Sequence, residues 1–472
     1  MRKNLLAIIA IGLFVACSAF TVIDYMCIHL PVQSYNYEQI MLPPDVVSNL
    51  ATTDNMDSTN VITDAGATLG RVLFYDVDLS RNNTIACASC HLQEFAFSDT
   101  VAFSIGFNGG LTARNSMGLS HARFRIGKKF FWDERAATLE EQVLMPIKDG
   151  IEMGLTLDTL VVRLSAKAIY PPLFLAAFGT STIDSARVAK ALAQFIRSMN
   201  TYGSRYRLGL DSTTITSPAT TPFANFTAEE NEGKRLFMDA TRINCQGCHI
   251  QNMFVSRGSQ NTGLDSAYTD NGAGTITNDS TKNGKFRVPS LMNIALTAPY
   301  MHDGRYKTLE EVIDFYSDSI HRHANLARSL TDTITGLPKR PHYSASEKNA
   351  LKAFLLTLTD TLITTDERWS NPFCVSPSTA IAEIKPMLYI NLYPNPVAAS
   401  ENLQLDLIAG SDFLGDIRML DRQGRLVYSK EAIFKTGSNH VDIAAMNCTP
   451  GIYILSLTRN NTQLFSKKMM IN

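Results

Sequence analysis

The sequence reads CASCH at residues 87–91 and CQGCH at residues 245–249, two copies of the form C-x-x-C-H. Two thiols three positions apart on one turn reach the two vinyl groups of a single porphyrin, and the adjoining histidine comes to lie beneath the iron. With eight Cys and nine His in 472 residues, chance would give roughly 0.003 such matches. The pattern therefore predicts two covalently bound c-type haems, on Cys87, Cys90 and His91 and on Cys245, Cys248 and His249. Other chemistries use paired cysteines, namely a four-cysteine zinc site, a disulfide pair or a redox C-x-x-C. Zinc would not require a histidine in the fifth position both times, and a separation of 158 positions is unlike a compact zinc module.

Two haems do not by themselves make an enzyme. An electron carrier seals both irons with two strong ligands, whereas a peroxidase leaves one iron open beneath acid–base groups. The formal charge of -1, from 43 basic and 44 acidic residues, gives no electrostatic footprint for a nucleic acid. The locally basic HARFRIGKK, residues 121–129, reads as a solvated face. MRKNLLAIIAIGLFVACSAF, residues 1–20, has the basic start, apolar run and small-residue end of a signal peptide, so the mature chain leaves the cytoplasm. Cys17 stands behind only a loose lipoprotein cleavage pattern, and plain cleavage is expected. No later apolar run is long enough to span a bilayer.

Between about residues 38 and 375 the pattern is mostly helical. TLEEQVLMPI, SARVAKALAQFIRSM, TAEENEGKRLF and TLEEVIDFYS repeat apolar residues at three and four, and Thr138, Thr227 and Thr308 stand three residues before a Glu, as in a capping box. Residues 210–224 and 257–285 read as loops, the first dividing a haem domain at 38–208 from another at 225–375. Beyond a Ser/Pro/Ala linker at 376–387, residues 388–472 show short alternating runs that predict a small all-β, Ig-like sandwich. The expected fold is thus mainly α, with two cytochrome c-like haem domains followed by the sandwich.

Gln142 shares a helical face with Leu139, Val143 and Pro146, where a buried amide needs a partner. Pro146 should end or kink that helix, bringing Glu152 to the point where the chain turns back. A carboxylate near a haem can take a proton from one oxygen of H2O2 and deliver it to the other. From CASCH through ARNS, FFWDERAATLEEQVLMPIKDGIEMG, CQGCH, KFRVPSLMNIALTAPYMHDGR and DFYS, the chain resembles the di-haem cytochrome c peroxidase family, which includes the MauG-type enzymes. The resemblance implies Glu152 as acid–base residue, Gln142 as its pocket neighbour and Trp132 as an aromatic bridge between the haems. It also implies a calcium ion held by the Asn115 side chain and the Thr297 and Pro299 carbonyls, and hydrogen peroxide as substrate. The electron donor, or a protein or organic substrate of MauG-like high-valent oxidation, is left open; a non-catalytic surface electron carrier is the reading from another class. Two departures stand out. Glu134 replaces a Gly usual in the family, and His121 an Asn.

For the second iron, Tyr316 falls on the stripe of Leu309, Val312 and Ile313, whereas Met301 precedes the helix. Many family members ligate this iron fourteen residues after the His that corresponds to His302. That position is Tyr316, and the MauG-type branch carries Tyr there, so Tyr316 is the expected ligand with Met301 the alternative. The tail, from YPNPV through GR and GIYILSL to KKMMIN, resembles the type A sorting domain of type IX secretion. That implies sorting machinery as a partner, transit through the periplasm, and a cell-surface or extracellular address. Cys27, Cys374 and Cys448 could include a disulfide there.

Many members block the first iron with a His seven positions before the Arg of the Arg-Asn pair; here that position is Phe107, which cannot ligate. The haem on His91 should therefore be five-coordinate or water-bound at rest, His121 being packed or hydrogen-bonded and not a blocking ligand. The EPR spectrum of the resting diferric protein should contain a high-spin signal from one haem. Two low-spin signals, converted only by half reduction, would contradict this.

Overall fold

The computed structural model describes residues 28–373, apart from 125–126, 213–220, 251–252 and 256–257. It also describes residues 389–471, apart from 394–396, 398–401, 410–411, 422–424, 436, 445–448 and 460–461. The expected signal peptide at 1–20, the linker at 376–387, and Cys17, Cys27, Cys374 and Cys448 lie outside the described residues. The chain divides into a helical unit, Met1–Cys374, and a β unit, Val375–Asn472.

Each half of the helical unit is built on one helix crossing, and the two crossings use the same device. In the first, Asp64–Tyr75 packs on Ser185–Ser198. Leu69, Val72, Leu73 and Phe74 meet Val188, Ala191, Leu192 and Phe195, all fully buried. Gly70 lets the backbones approach, since a Cβ there would lie 2.0 Å from the Ala191 carbonyl oxygen. In the second, Ala228–Met238 packs on Ala345–Leu356, and a Cβ on Gly233 would lie 1.8 Å from the Ala350 oxygen. Phe74 meets Phe195 edge-on at 5.3 Å, and Phe237 meets Phe354 at 5.2 Å.

The four expected helical segments appear as Leu139–Lys148, Ser185–Ser198, Ala228–Met238 and Leu309–Asp318. Full capping boxes form at Thr227–Glu230 and Thr308–Glu311. At Thr138 the hydroxyl caps the Glu141 N–H, but the Glu141 carboxylate reaches one residue further back, to Ala137 N at 2.8 Å. Pro146 neither ends its helix nor needs to: it sits in the last turn, and the helix runs on to Lys148, where only one intrahelical bond is lost. The basic patch is a correction. Lys128 and Lys129 are exposed, but His121 is 2% and Arg123 8% exposed, because Arg123 forks onto Asp54 at 2.7–3.1 Å.

Among the described residues no single helix is long and apolar enough to cross a membrane. The β unit has two antiparallel sheets. One orders Tyr389–Tyr393, Asn402–Ala409 and Gly437–Ala444; the other orders Leu426–Phe434, Phe413–Leu420, Gly451–Arg459 and Thr462–Ile471. Along Phe413–Leu420 alternate residues are buried. Leu403, Leu405 and Ile443 of the first sheet share a core with Ile417, Leu455 and Leu457 of the second, as period-two alternation requires.

Gly70→Ala and Gly233→Ala should each lower the stability of the helical unit by about 1–3 kcal/mol through overpacking. Gly150→Ala, where nothing lies within 4 Å of the new carbon, is the control, and thermal unfolding of the three variants makes the comparison.

Candidate functional site

Both C-x-x-C-H segments fold as a 3-10 turn, Cys87–Ser89 and Cys245–Gly247. The histidine N–H bonds back to the first cysteine's carbonyl, at 3.1 Å for His91 and 2.8 Å for His249. This puts both thiols and the imidazole on one side of a single turn. His91 Nδ1–H donates to Phe97 O at 2.8 Å, and His249 Nδ1–H donates to Phe254 O at 3.1 Å. Each bond fixes the tautomer that leaves Nε2 free to ligate. The two carbonyls are aimed by left-handed backbone, φ 61° at Phe97 and 53° at Phe254, which fully buried side chains hold in place. Burial keeps both imidazoles neutral, lowering His91 and taking His249 down to about 4.

Cys245, Cys248 and His249 line a cavity whose wall also includes Leu291, Ile313, Leu351 and Leu355. Tyr316 and Met301 both border it, so the two expected candidates for the second ligand face the same space. Burial, then the neighbouring Cys248 and Cys245, hold the Tyr316 phenol well above the ordinary range. Arg287 borders the cavity too, and its buried Nε has no partner among the described residues. A neutral imidazole with Nε2 unprotonated, two thiols on one turn, apolar walls and an Arg287 Nε–H without a partner among the described residues fit a porphyrin with its carboxylates.

At the first segment, burial pushes the Cys87 and Cys90 thiols up to about 12 and about 11, and the nearby Glu152 charge adds to both. Glu152 itself is pushed up to about 7 by burial, with Asp149 adding and Arg135 opposing. Its carbonyl accepts from Phe107 N at 2.9 Å, and the Phe107 ring fills the space over Gly154, 2.4 Å from where a Cβ would stand. Phe107, the residue expected in place of a blocking histidine, therefore packs against the turn that carries Glu152. Gln142 is only half-buried, and its amide has no partner among the described residues; the buried amide expected from its helical stripe is not there.

Trp132 is clamped between the two halves. Its Nε1–H donates to Asn115 O at 2.8 Å, its carbonyl accepts from Arg287 N at 2.7 Å, and it borders the second cavity. Ser116, next to Asn115, donates to Cys90 O at 2.8 Å and lies 3.3 Å from His91 Nδ1. Asn115, Thr297 and Pro299 border one smaller cavity. Asn115 Nδ2 donates to Val101 O at 3.1 Å, leaving Oδ1 for another partner. His121 donates from Nε2 to Thr201 O at 2.8 Å and meets Tyr202 edge-on, so it is a packed histidine.

Sequence reasoning missed two groups here. Arg114 forks onto Asp270 at 2.7 and 2.9 Å and onto Asp133 at 2.5 Å. His302 stacks on Phe286 at 3.7 Å and meets Trp132 edge-on at 6.5 Å. The signal available was adjacency: Arg114 precedes Asn115, and His302 follows Met301.

A family model described as di-haem cytochrome c peroxidase matches residues 64–213 and 228–368, and one described as a secretion system C-terminal sorting domain matches residues 391–472. The methylamine utilization protein MauG of Methylophilus methylotrophus is 32% identical over 275 residues, 58% of this chain and 78% of its own. Cytochrome c551 peroxidase of Nitrosomonas europaea is 28% identical over 297 residues, 62% and 79% of the two chains. The crystal structure of a MauG-like protein associated with microbial copper homeostasis superposes with TM-score 0.60 and 34% identity, over 72% of this chain and 99% of that one.

Glu134 adopts φ 61°, a conformation natural to the glycine it replaces. Glu134→Gly should stabilise the protein by about 1 kcal/mol, the usual left-handed penalty for a non-glycine residue, read as a higher thermal midpoint. A lower midpoint would mean that Glu134's own contacts outweigh the strain.

Proposed function

The chain belongs to the di-haem cytochrome c peroxidase family, and on that premise we propose that this peroxidase-type oxidoreductase reduces hydrogen peroxide at the haem on His91, with electrons relayed through the haem on His249. The observation that carries this is Glu152, a largely desolvated carboxyl held at about 7 beside the first haem-binding turn. Peroxide reduction consumes two electrons and two protons and gives two waters. The haem that Cys87, Cys90 and His91 would hold supplies the iron at which peroxide binds and is reduced. Ionised Glu152 takes the proton from one peroxide oxygen and returns it to the departing one. Phe107 offers no ligating atom, so that loop would supply no blocking ligand to an iron held by His91. Gln142 is assigned as the neighbour of Glu152 on family position alone.

Trp132, bonded to Asn115 on one side and Arg287 on the other, couples the halves. Tyr316 is the assigned second ligand at the His249 site, with Met301 the alternative. Asn115 Oδ1 and the Thr297 and Pro299 carbonyls suit one calcium ion, a hard cation that takes oxygen donors. The helical unit is read as two cytochrome c-like haem domains and the β unit as an Ig-like sandwich. The sorting domain supports export to the cell surface; the route is read as type IX, through the periplasm. Tyr316 in the cavity, together with relatives named MauG, favours a second reading, the oxidation of a protein or organic substrate.

Glu152→Gln should lower kcat/KM for peroxide by about 10²–10⁴-fold, the range for a lost acid–base group. In the parent enzyme kcat/KM should rise with pH through about 7, as Glu152 ionises, and the variant should lack that limb. The stability effect has the opposite sign. Burial favours the protonated carboxyl, so its stabilising contribution is complete at low pH and lost as pH climbs through about 7. Unchanged peroxide consumption in the variant would overturn the assignment.

A further inference from the structure

Tyr35, Tyr37 and Tyr75 gather around Arg71, whose Nε donates to Ser370 O beside Trp369 at 2.6 Å, in a part of the fold to which peroxide chemistry at Glu152 gives no role. The Arg71 guanidinium lies 5.3 Å over the Tyr35 ring, and its charge also reaches Tyr37 and Tyr75. Tyr35 and Tyr37 meet edge-on at 6.3 Å. Tyr37 Oη donates to Arg368 O at 2.5 Å, and Tyr75 Oη donates to Trp369 O at 2.7 Å. Inward, the Tyr75 ring lies 5.3 Å from Phe74, and Phe74 lies 5.9 Å from Phe97, whose carbonyl holds His91. Cys87 and Ala88 pack on the same core. Gln93 Nε2 donates to the carbonyls of Ile363 and Asp366, tying the first haem-binding loop to the segment that carries Trp369.

We propose that Tyr35, Tyr37, Tyr75 and Trp369 form an electron relay between the first haem-binding turn and the surface, with Tyr35 the outer terminus at which phenolic or hydroquinone reductants are oxidised. The inference rests on peroxide being reduced at the first haem. Proton acceptors select the terminus. Tyr37 and Tyr75 donate to carbonyl oxygens, which are not bases, and burial holds both phenols well above the ordinary range. Trp369 donates from Nε1 to the Ser198 hydroxyl at 3.2 Å, and the Arg368 guanidinium 4.7 Å over its ring disfavours a resting positive charge there. Tyr35 donates to a carboxylate, Glu367, at 3.2 Å and is only half-buried.

By this route, which enters at the first haem-binding turn as an alternative to the one through the haem on His249, each of the two electrons that peroxide takes leaves Tyr35 inward, and each time the phenolic proton passes to Glu367. A phenol or hydroquinone then returns one hydrogen atom to the Tyr35 radical and is itself oxidised by one electron. Glu367 releases its proton to solvent, which balances the proton consumed in forming water. A donor able to give an electron and a proton together is therefore the matching substrate class.

The test uses the haem-loaded full chain with stoichiometric H2O2 and no reductant. It combines freeze-quench EPR, peptide mass spectrometry and a parallel assay of peroxide consumed. A tyrosyl radical signal and oxidation mapped to Tyr35 are expected. Tyr35→Phe should lose that signal, Glu367→Gln should delay it, and hydroquinone should quench it in the parent. A tyrosyl signal that survives Tyr35→Phe, or full peroxide consumption with no Tyr35 radical or modification, overturns the relay and leaves the peroxide reading intact. A parent protein that consumes no peroxide overturns both.

Discussion

One hydrogen bond, made once in each half of the helical unit, sets the position of everything around it: histidine Nδ1–H to the carbonyl of a buried phenylalanine. In the first half Phe97 follows His91 by six residues, and in the second Phe254 follows His249 by five. Both acceptors need left-handed backbone, a cost of about 1–2 kcal/mol each for a residue with a Cβ. Aromatic packing supplies the restraint. Phe97 lies on Phe74 of the first helix crossing, and Phe254 lies 5.8 Å from Phe237 of the second. The glycines that let those helices close are therefore mechanically connected, through one ring and one carbonyl, to the imidazole that would face iron.

The repeated scaffold carries different chemistry in its two copies. The first turn has a desolvated carboxyl and a phenylalanine beside it, whereas the second opens onto a largely apolar cavity with a phenol and a thioether at its border. What joins them is polar and geometrically demanding. Arg114, largely buried and forked onto two carboxylates, fixes the segment that carries Asn115 and Ser116, and through it both Trp132 and the approach to His91. Partly buried charged networks of this kind add little net stability when formed, but removing one partner leaves a charge without compensation. Their value here is position: the Trp132 ring is held by its Nε1–H on Asn115 O, and its main chain by the Arg287 N–H on its carbonyl, so the ring cannot turn without breaking the first bond.

Much of this was legible because it is local. C-x-x-C-H spacing, Thr-to-Glu caps and alternating strand residues all act within a few positions, and the helices and the β unit follow from them. The corrections are long-range or conformational. Arg123 reads as a surface cation until Asp54, 69 residues earlier, meets it, and Arg114 finds Asp270 across 156 residues. A left-handed Phe97, Phe254 or Glu134 carries no compositional mark, because the residue types are ones that avoid φ > 0. Gln142 failed for a simpler reason: helical periodicity assigns a face, but not how deep that face lies.

The placement of protons follows from the same contrast between compensated and uncompensated burial. Glu140 is desolvated, yet Arg197 and Asn60 bond it and hold it below the ordinary carboxylate range. Glu152 is desolvated with no such partner among the described residues. Arg135, whose charge opposes the shift, spends its guanidinium on Asp133 at 3.1 Å, and Asp149 adds negative charge. Burial alone would make both groups neutral, so the cation decides which carboxyl is a fixed charge and which can exchange its proton near neutral pH. The relay tyrosines follow the same contrast: Tyr37 and Tyr75 face carbonyls and keep their protons, whereas Tyr35 faces the Glu367 carboxylate and has somewhere to send its own. A carboxyl that can exchange its proton near neutral pH is thus a place where burial was left unpaired, a property of tertiary packing that no single motif specifies.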